Sequence, residues 1–262
     1  MSSVFPLVFS QTGSLGPGSQ VNITNCGFFG FTNGTFFIES FESDNEMDSQ
    51  LLATESMFVN NTGVSPSLVS SFGCCAGAID IDSAMNGTVS ITSSAFMNNT
   101  STGSGGAVRV SGIPNSRNGP TVSIAESEFE INTANFGGAV FINSTLALAI
   151  RDSAFTNNIA TNRGGGLFAG DLNQSYTCET TNFMDNVAGT DGGGASTFNV
   201  GDVNYTSNEF VRNVAASQGG GFFALDQTNT FPEPLFTFVD NDFTNNTASS
   251  FPNLFALSFR FI

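Results

Sequence analysis

The sequence predicts an all-β chain wound as one single-stranded parallel β-helix of about eight coils. Three observations carry that expectation. The first is a recurring phrase, seen most fully in FTNNIATNRGGGLF at residues 155–168: a Phe, an Asn three residues on, then glycines leading an apolar run. The second is its period, 26–28 residues where no loop intervenes and 33 or 38 where one does, which marks a repeat architecture. The third is the lack of helical periodicity. Apolar runs are two to five residues long, alternate, and end at Gly, Asn, Ser or Thr.

The whole of 1–262 reads as one β-helix domain. Residues 1–50 are expected to form an irregular cap, with Pro6, Gly16, Pro17 and Gly18, and then degenerate coils around Phe28 and Phe41. Terminal repeats of a solenoid are atypical because they must cover an open core. Residues 51–250 hold the regular repeats. Phe58, Phe96, Phe129, Phe155, Phe183, Phe210 and Phe243 are each followed three positions on by Asn61, Asn99, Asn132, Asn158, Asn186, Asn213 and Asn246.

Coils about 4.8 Å apart stack identical residues on themselves. The Phe column then fills the interior, and the Asn column turns a corner with its amides bonded from coil to coil. Five before each Phe stands an inward residue (Ala53, Ile91, Ile124, Ile150, Cys178, Tyr205 or Phe238), and two before it a Ser, Thr or Asn. Paired glycines follow five of the seven, starting at Gly105, Gly137, Gly164, Gly192 and Gly219. There the backbone enters a strand through a bend that a Cβ would obstruct. Residues 251–262, FPNLFALSFRFI, take the place of a glycine-led strand; they either plug the helix or lead into a further coil, and continuation is the expectation.

The combination of F-x-x-N with a following G-G-[AG] and an apolar residue resembles the repeats of the polymorphic membrane proteins first described in chlamydiae. The resemblance covers roughly residues 50–250. It implies a right-handed helix of the pectin-lyase-like type and a surface protein whose passenger domain acts as an adhesin. Two departures limit it. Three of the five glycine pairs extend to G-G-G, and the chain leaves no room for the outer-membrane barrel those proteins carry, so only the repeat carries over.

Composition narrows the function. The only bases are Arg109, Arg117, Arg151, Arg163, Arg212 and Arg260, with no Lys and no His, against 22 acids and a net charge of −16. Such a chain repels phosphate polymers and anionic bilayers, so neither nucleic acid nor direct membrane insertion is expected. The N-terminus MSSVFPLVFSQTGSLGPGS lacks a basic n-region and a long apolar core, and does not read as a complete signal peptide. The numbering is therefore expected to begin inside a precursor or after processing.

Parallel β-helices include polysaccharide lyases and hydrolases, so catalysis is weighed. Alternation after the glycine pairs sends Val108, Val140, Leu167 and Phe222 inward and Arg109, Phe141, Phe168, Ser196 and Phe223 outward. That face offers one Arg and no pair of titratable groups for acid–base work, so no catalytic residue is assigned. Phe141, Phe168 and Phe223 either form a strip for sugar rings or a partner, or lie under a loop such as 111–120 or 226–234. Alternate Asp80 and Asp82 could offer oxygens to Ca2+, but solvated charge is the expectation for them, as for Glu126, Glu128 and Glu130, and for Asp171 with Asp226. No other cofactor or metal is expected.

Cysteine spacing gives no zinc motif; Cys178 reads as core, and Cys26 could meet Cys74 or Cys75 of a following coil in a disulfide. Candidate N-glycosylation sites are Asn22, Asn33, Asn60, Asn86, Asn98, Asn143, Asn173, Asn204 and Asn245, with Asn99 facing inward and unmodified. The reading that results is a non-enzymatic extracellular module, structural or adhesive, of a surface, cell-wall or appendage glycoprotein. Its partners would be other surface or matrix proteins or glycans, and its coil ends could assemble end to end. The alternatives are a carbohydrate-binding module or a polysaccharide lyase or hydrolase.

Overall fold

A computed structural model describes residues 9–15, 18–32, 36–41, 49–64, 76–84, 87–113, 119–226, 235–257 and 260–261. Every strand pairing among them is parallel, and the chain winds as a right-handed parallel β-helix. Each regular coil lays down four short segments. A glycine-led strand comes last in the repeated phrase, as in Val108–Gly112 and Val140–Asn143; a second strand follows, as in Thr121–Ala125 and Ala147–Arg151. Then come a three-residue Phe strand, as in Glu128–Glu130, and a two-residue strand, as in Thr133–Ala134. Leu167–Glu179 and Ala195–Thr206 run through the first bend unbroken, which joins the first two stacks into one 16-stranded sheet. The Phe strands form an eight-stranded sheet and the two-residue strands a six-stranded one.

The Phe column is continuous. Rings from Phe58 to Phe243 stack with centroids 4.8–4.9 Å apart and planes within 10°. Coil spacing dictates the distance, so the rings sit in offset register. Beside them the Asn column closes every polar valence it buries. From Asn61 to Asn246 each Nδ2 donates to the Oδ1 of the Asn one coil on at 3.0 Å. Its second N–H donates to a Phe carbonyl of the preceding coil, as Asn99 does to Phe58 O at 3.0 Å. Each Oδ1 also accepts a backbone N–H, as Asn158 Oδ1 does from Asn132 at 2.9 Å. A satisfied buried network fixes register as an apolar contact cannot.

The Ser/Thr/Asn column two before each Phe is a second ladder. Ser94 N donates to Ser127 Oγ at 3.2 Å, and Ser127 Oγ donates to Ala125 O at 2.7 Å. The residue just before this column, in each coil, takes a left-handed backbone, from Glu55 to Asp240.

Two columns differ from the expectation at the N-terminal end. Phe28 is a rung of the Phe stack, 4.9 Å from Phe58, although Phe31 stands where Asn belongs. Phe31 keeps its backbone N–H on Asn61 Oδ1 at 3.0 Å. Phe41, in contrast, is no Phe rung. Its strand, Phe36–Phe41, pairs Phe36 with Ile79 and so lies in the glycine-led stack. Ala76-Gly77-Ala78 leads that stack as the glycine pairs do: a Cβ on Gly77 would lie 2.3 Å from Gly106 O. At the other end Leu254 pairs with Phe222, so residues 251–254 do replace a glycine-led entry.

Candidate functional site

The outer face of the glycine-led stack is where the candidate chemistry lies. Asp80, Arg109, Phe141, Phe168, Ser196 and Phe223 occupy one column, one residue per coil. Arg109 Nη1 donates to Asp80 Oδ1 and Nη2 to Asp82 Oδ1, both at 2.8 Å. Burial would weaken the guanidinium charge, but the two carboxylates outweigh it and raise the Arg109 pKa. An Arg so held cannot accept a proton. Asp80 and Asp82, read as potential Ca2+ ligands, are instead the two acceptors of this fork. Among the described residues no three His, Cys, Asp or Glu side chains converge as a metal cluster would.

The aromatic strip is covered. Phe141, Phe168 and Phe223 are 0%, 2% and 3% exposed, so as a stacking surface for sugar rings the strip is corrected to an internal layer. Phe141 and Phe168 stack at 5.2 Å, and Phe136 meets the Phe168 edge at 5.7 Å. Ser196 interrupts the column. The Arg163 guanidinium lies 5.7 Å from the Phe223 centroid and 5.9 Å from that of Phe198, with its Nε on Asp191 at 3.1 Å. The loop cores 114–118 and 227–234 fall outside the described residues.

The remaining acids are dispersed. Glu126 accepts from Ser93 Oγ at 3.0 Å, and Glu128 and Glu130 flank Phe129 on the outside of the Phe stack, beside Ala154 and Thr156. Asp171 accepts from Asn199 at 3.2 Å, and burial raises its pKa. Asp226 is buried where Phe222–Leu225 ends.

The cysteine and sequon assignments divide. Cys26 is a free, exposed thiol whose S–H donates to Thr24 O at 3.2 Å; Cys74 and Cys75, its candidate disulfide partners, lie outside the described residues. Cys178 is buried in the core, where burial drives its pKa far up. Asn60, Asn98 and Asn245 are exposed at a left-handed corner, with φ of 58°, 52° and 55°. Asn22 and Asn173 are exposed and Asn204 half-buried, whereas Asn33 and Asn86 lie outside the described residues. Asn143 is a correction: it is 5% exposed and donates to Ser144 Oγ at 2.9 Å, which leaves no room for a glycan. Asn99, in the inward column, is fully buried.

One pair escapes sequence reasoning. Tyr176 and Tyr205 are fully buried, and Tyr205 Oη donates to Tyr176 Oη at 2.6 Å. They stand in different inward columns one coil apart, Tyr176 level with Leu148 and Tyr205 with Cys178. The one signal for it is that both tyrosines of the chain occupy inward positions.

No curated protein matches the chain. A solved structure, a double mutant of the periplasmic alginate epimerase AlgG, is similar over 99% of this chain and 79% of that one, at 10% identity and a TM-score of 0.29. The family model of the Chlamydia polymorphic membrane protein repeat matches at residues 93–111 and 152–170. Both matches begin at the left-handed corner before a Phe rung and run through the Asn rung and glycine pair into the glycine-led strand. In those two coils the chain is similar to the polymorphic membrane protein repeat.

Proposed function

We propose that this chain is a stiff, acidic, non-enzymatic module of a surface protein, extracellular in situ, acting as a structural spacer or an adhesive element toward other surface or matrix proteins or glycans. The observation that carries it is the unbroken Asn ladder from Asn61 to Asn246 within a coil of the polymorphic membrane protein type. Six bonded steps at about 4.8 Å make a rod segment about 29 Å long. A ladder in which every coil specifies the next resists bending and unfolds cooperatively.

The outer face supports the non-enzymatic reading. Its buried Arg is committed to two carboxylates, and its aromatic column is covered. General acid–base catalysis asks for titratable groups in reach of a substrate bond. Protease shaving of intact native cells tests the reading. Release of peptides from this chain before lysis, with a cytosolic marker retained, is the expected result. Peptides that emerge only after lysis overturn it.

A further inference from the structure

Asn60 and Asn98 are two sequons in sequence and one place in space. They occupy the same corner of successive coils, whose Phe rungs lie 4.8 Å apart. Asn98 Nδ2 donates to Asn60 Oδ1 at 2.7 Å. The nitrogen that would carry a sugar on Asn98 is therefore turned into its neighbour, while the Asn60 nitrogen is not engaged by this bond. The flanks differ as well. On its other side Asn98 has Ile131, whereas Asn60 has Gly30, where even an added Cβ meets nothing within 4 Å.

We propose that the pair is a single modification site, with an N-linked oligosaccharide on Asn60 and Asn98 left bare. This rests on the surface-protein reading, in a cell that glycosylates. The donor is a polyprenyl-pyrophosphate-linked oligosaccharide. The Asn60 Nδ2–C1 bond forms as the C1–O bond to pyrophosphate breaks, Nδ2 gives up one proton, and the lipid pyrophosphate leaves. An Asn60 glycan on the Gly30 side preserves the Asn98-to-Asn60 bond. Two branched glycans rooted one coil apart would compete for one corner, so chains modified at both are lost from the folded, secreted pool. Asn245 is independent: its coil neighbour, Arg212, is drawn to Asp185 by bonds of 2.7 Å and 2.6 Å.

The test uses the protein secreted from glycosylating eukaryotic cells. The first basic residue is Arg109, so trypsin on denatured protein releases residues 1–109 as one peptide, with Asn60 and Asn98 together. In an Asn22→Gln/Asn33→Gln/Asn86→Gln background, with Ser101→Ala removing the Asn99 sequon but not that of Asn98, its mass counts the glycans at the pair. One or none is expected, never two, and Asn60→Gln should raise Asn98 occupancy from near zero at least fivefold. A doubly modified population at the product of the separate occupancies overturns the proposal. Site occupancy in the unmutated chain gives the same answer without that background: a sum over Asn60 and Asn98 above one overturns it. The peptide of residues 213–260, with Asn245 as its one sequon, separates the causes. Asn245 modified alongside both Asn60 and Asn98 sinks this proposal alone; bare asparagines throughout sink the glycoprotein reading with it.

Discussion

Asn132 Nδ2 donates to Asn158 Oδ1 at 3.0 Å, and the Asn132 backbone N–H converges on the same oxygen at 2.9 Å. One side-chain oxygen thus holds both donors of the preceding coil, and Asn186 Oδ1 does the same for Asn158. The rung-to-rung bonds are directional: each Asn amide donates to the next Asn toward the C-terminal end and, with its other N–H, to a Phe carbonyl one coil back. No shorter or longer polar side chain closes both bonds and also reaches the Phe carbonyl one coil back.

Asn158→Ala should therefore cost far more than one hydrogen bond. It strands the Asn132 backbone N–H, one proton of its amide, and Phe129 O, all in the buried corner. Each buried orphan costs about 1–3 kcal/mol, so a loss of roughly 3 kcal/mol or more is expected in urea unfolding. Asn157→Gly, next door but exposed at a φ of 56°, should change stability by about 0.5 kcal/mol or less. Equal effects at the two positions would show that the ladder does not hold the fold.

Phe251 offers the opposite sign. It closes the column of Gly105, Gly137, Gly164, Gly192 and Gly219, whose backbones are left-handed, and it takes φ of 52° itself. A bulky residue there costs roughly 1–3 kcal/mol, and its side chain is 55% exposed, so packing offsets only part of the cost. Phe251→Gly should stabilise the last coil by about 1 kcal/mol after the added chain entropy of Gly. Amide exchange over Leu254–Leu257 should slow several-fold; faster exchange would mean that the ring, not the backbone, governs that end.

Much of this fold is legible because identity recurs at fixed offset. The Phe, Asn and glycine columns are each set by one residue type, and the offset from Phe also places Asn60, Asn98 and Asn245 outside and Asn99 inside. The Ala76-Gly77-Ala78 entry escapes the pattern because Ala replaces the first Gly of the pair. Phe41 is misplaced by it because neither an Asn three residues on nor a glycine pair marks its register. The Asp80–Arg109 contact spans 29 residues, so alternation alone could not pair them. Outward direction is correct for Phe141, Phe168 and Phe223, but direction says nothing of cover, which depends on segments distant in sequence. Asn143 shows the same limit: a matching sequon, buried by its surroundings.

Asp171 gives a pH test. It sits at φ of 48° and burial raises its pKa, partly opposed by the hydrogen bond from Asn199. A raised folded-state value means that the neutral form is favoured in the fold. That contribution is fully present below the unfolded value of about 3.9 and is lost as pH rises through the folded value. Ionised Asp171 is thus a small burden at neutral pH. Asp171→Asn keeps an oxygen for Asn199 and suits a left-handed backbone, and should gain a few tenths of a kcal/mol at pH 7. The gain should vanish by about pH 3, where both proteins are neutral at that site. A gain that is the same at both pH values would assign the effect to backbone conformation alone.

The buried Tyr176–Tyr205 pair turns the core into its own reporter. The chain has two Tyr and no Trp, so tyrosinate absorbance arises from this pair alone. Burial raises both phenols well above the ordinary value, and Cys178 adds to both; Tyr205 adds to the rise of Tyr176, whereas the hydrogen bond to Tyr176 partly opposes that of Tyr205. Their contribution to stability is present below the unfolded value of about 10 and is lost as pH climbs toward the folded values. Absorbance at high pH should therefore stay flat until the helix opens, then rise in one step coincident with loss of β circular dichroism. Tyr205→Phe leaves the Tyr176 hydroxyl without its 2.6 Å partner and should cost about 1–2 kcal/mol. Adding Tyr176→Phe removes the acceptor that has lost its donor, so the double variant should lose less than the sum of the singles, by about 1 kcal/mol. Strict additivity, or a phenol that titrates near its ordinary value before unfolding, would mean that the two rings do not share a closed core.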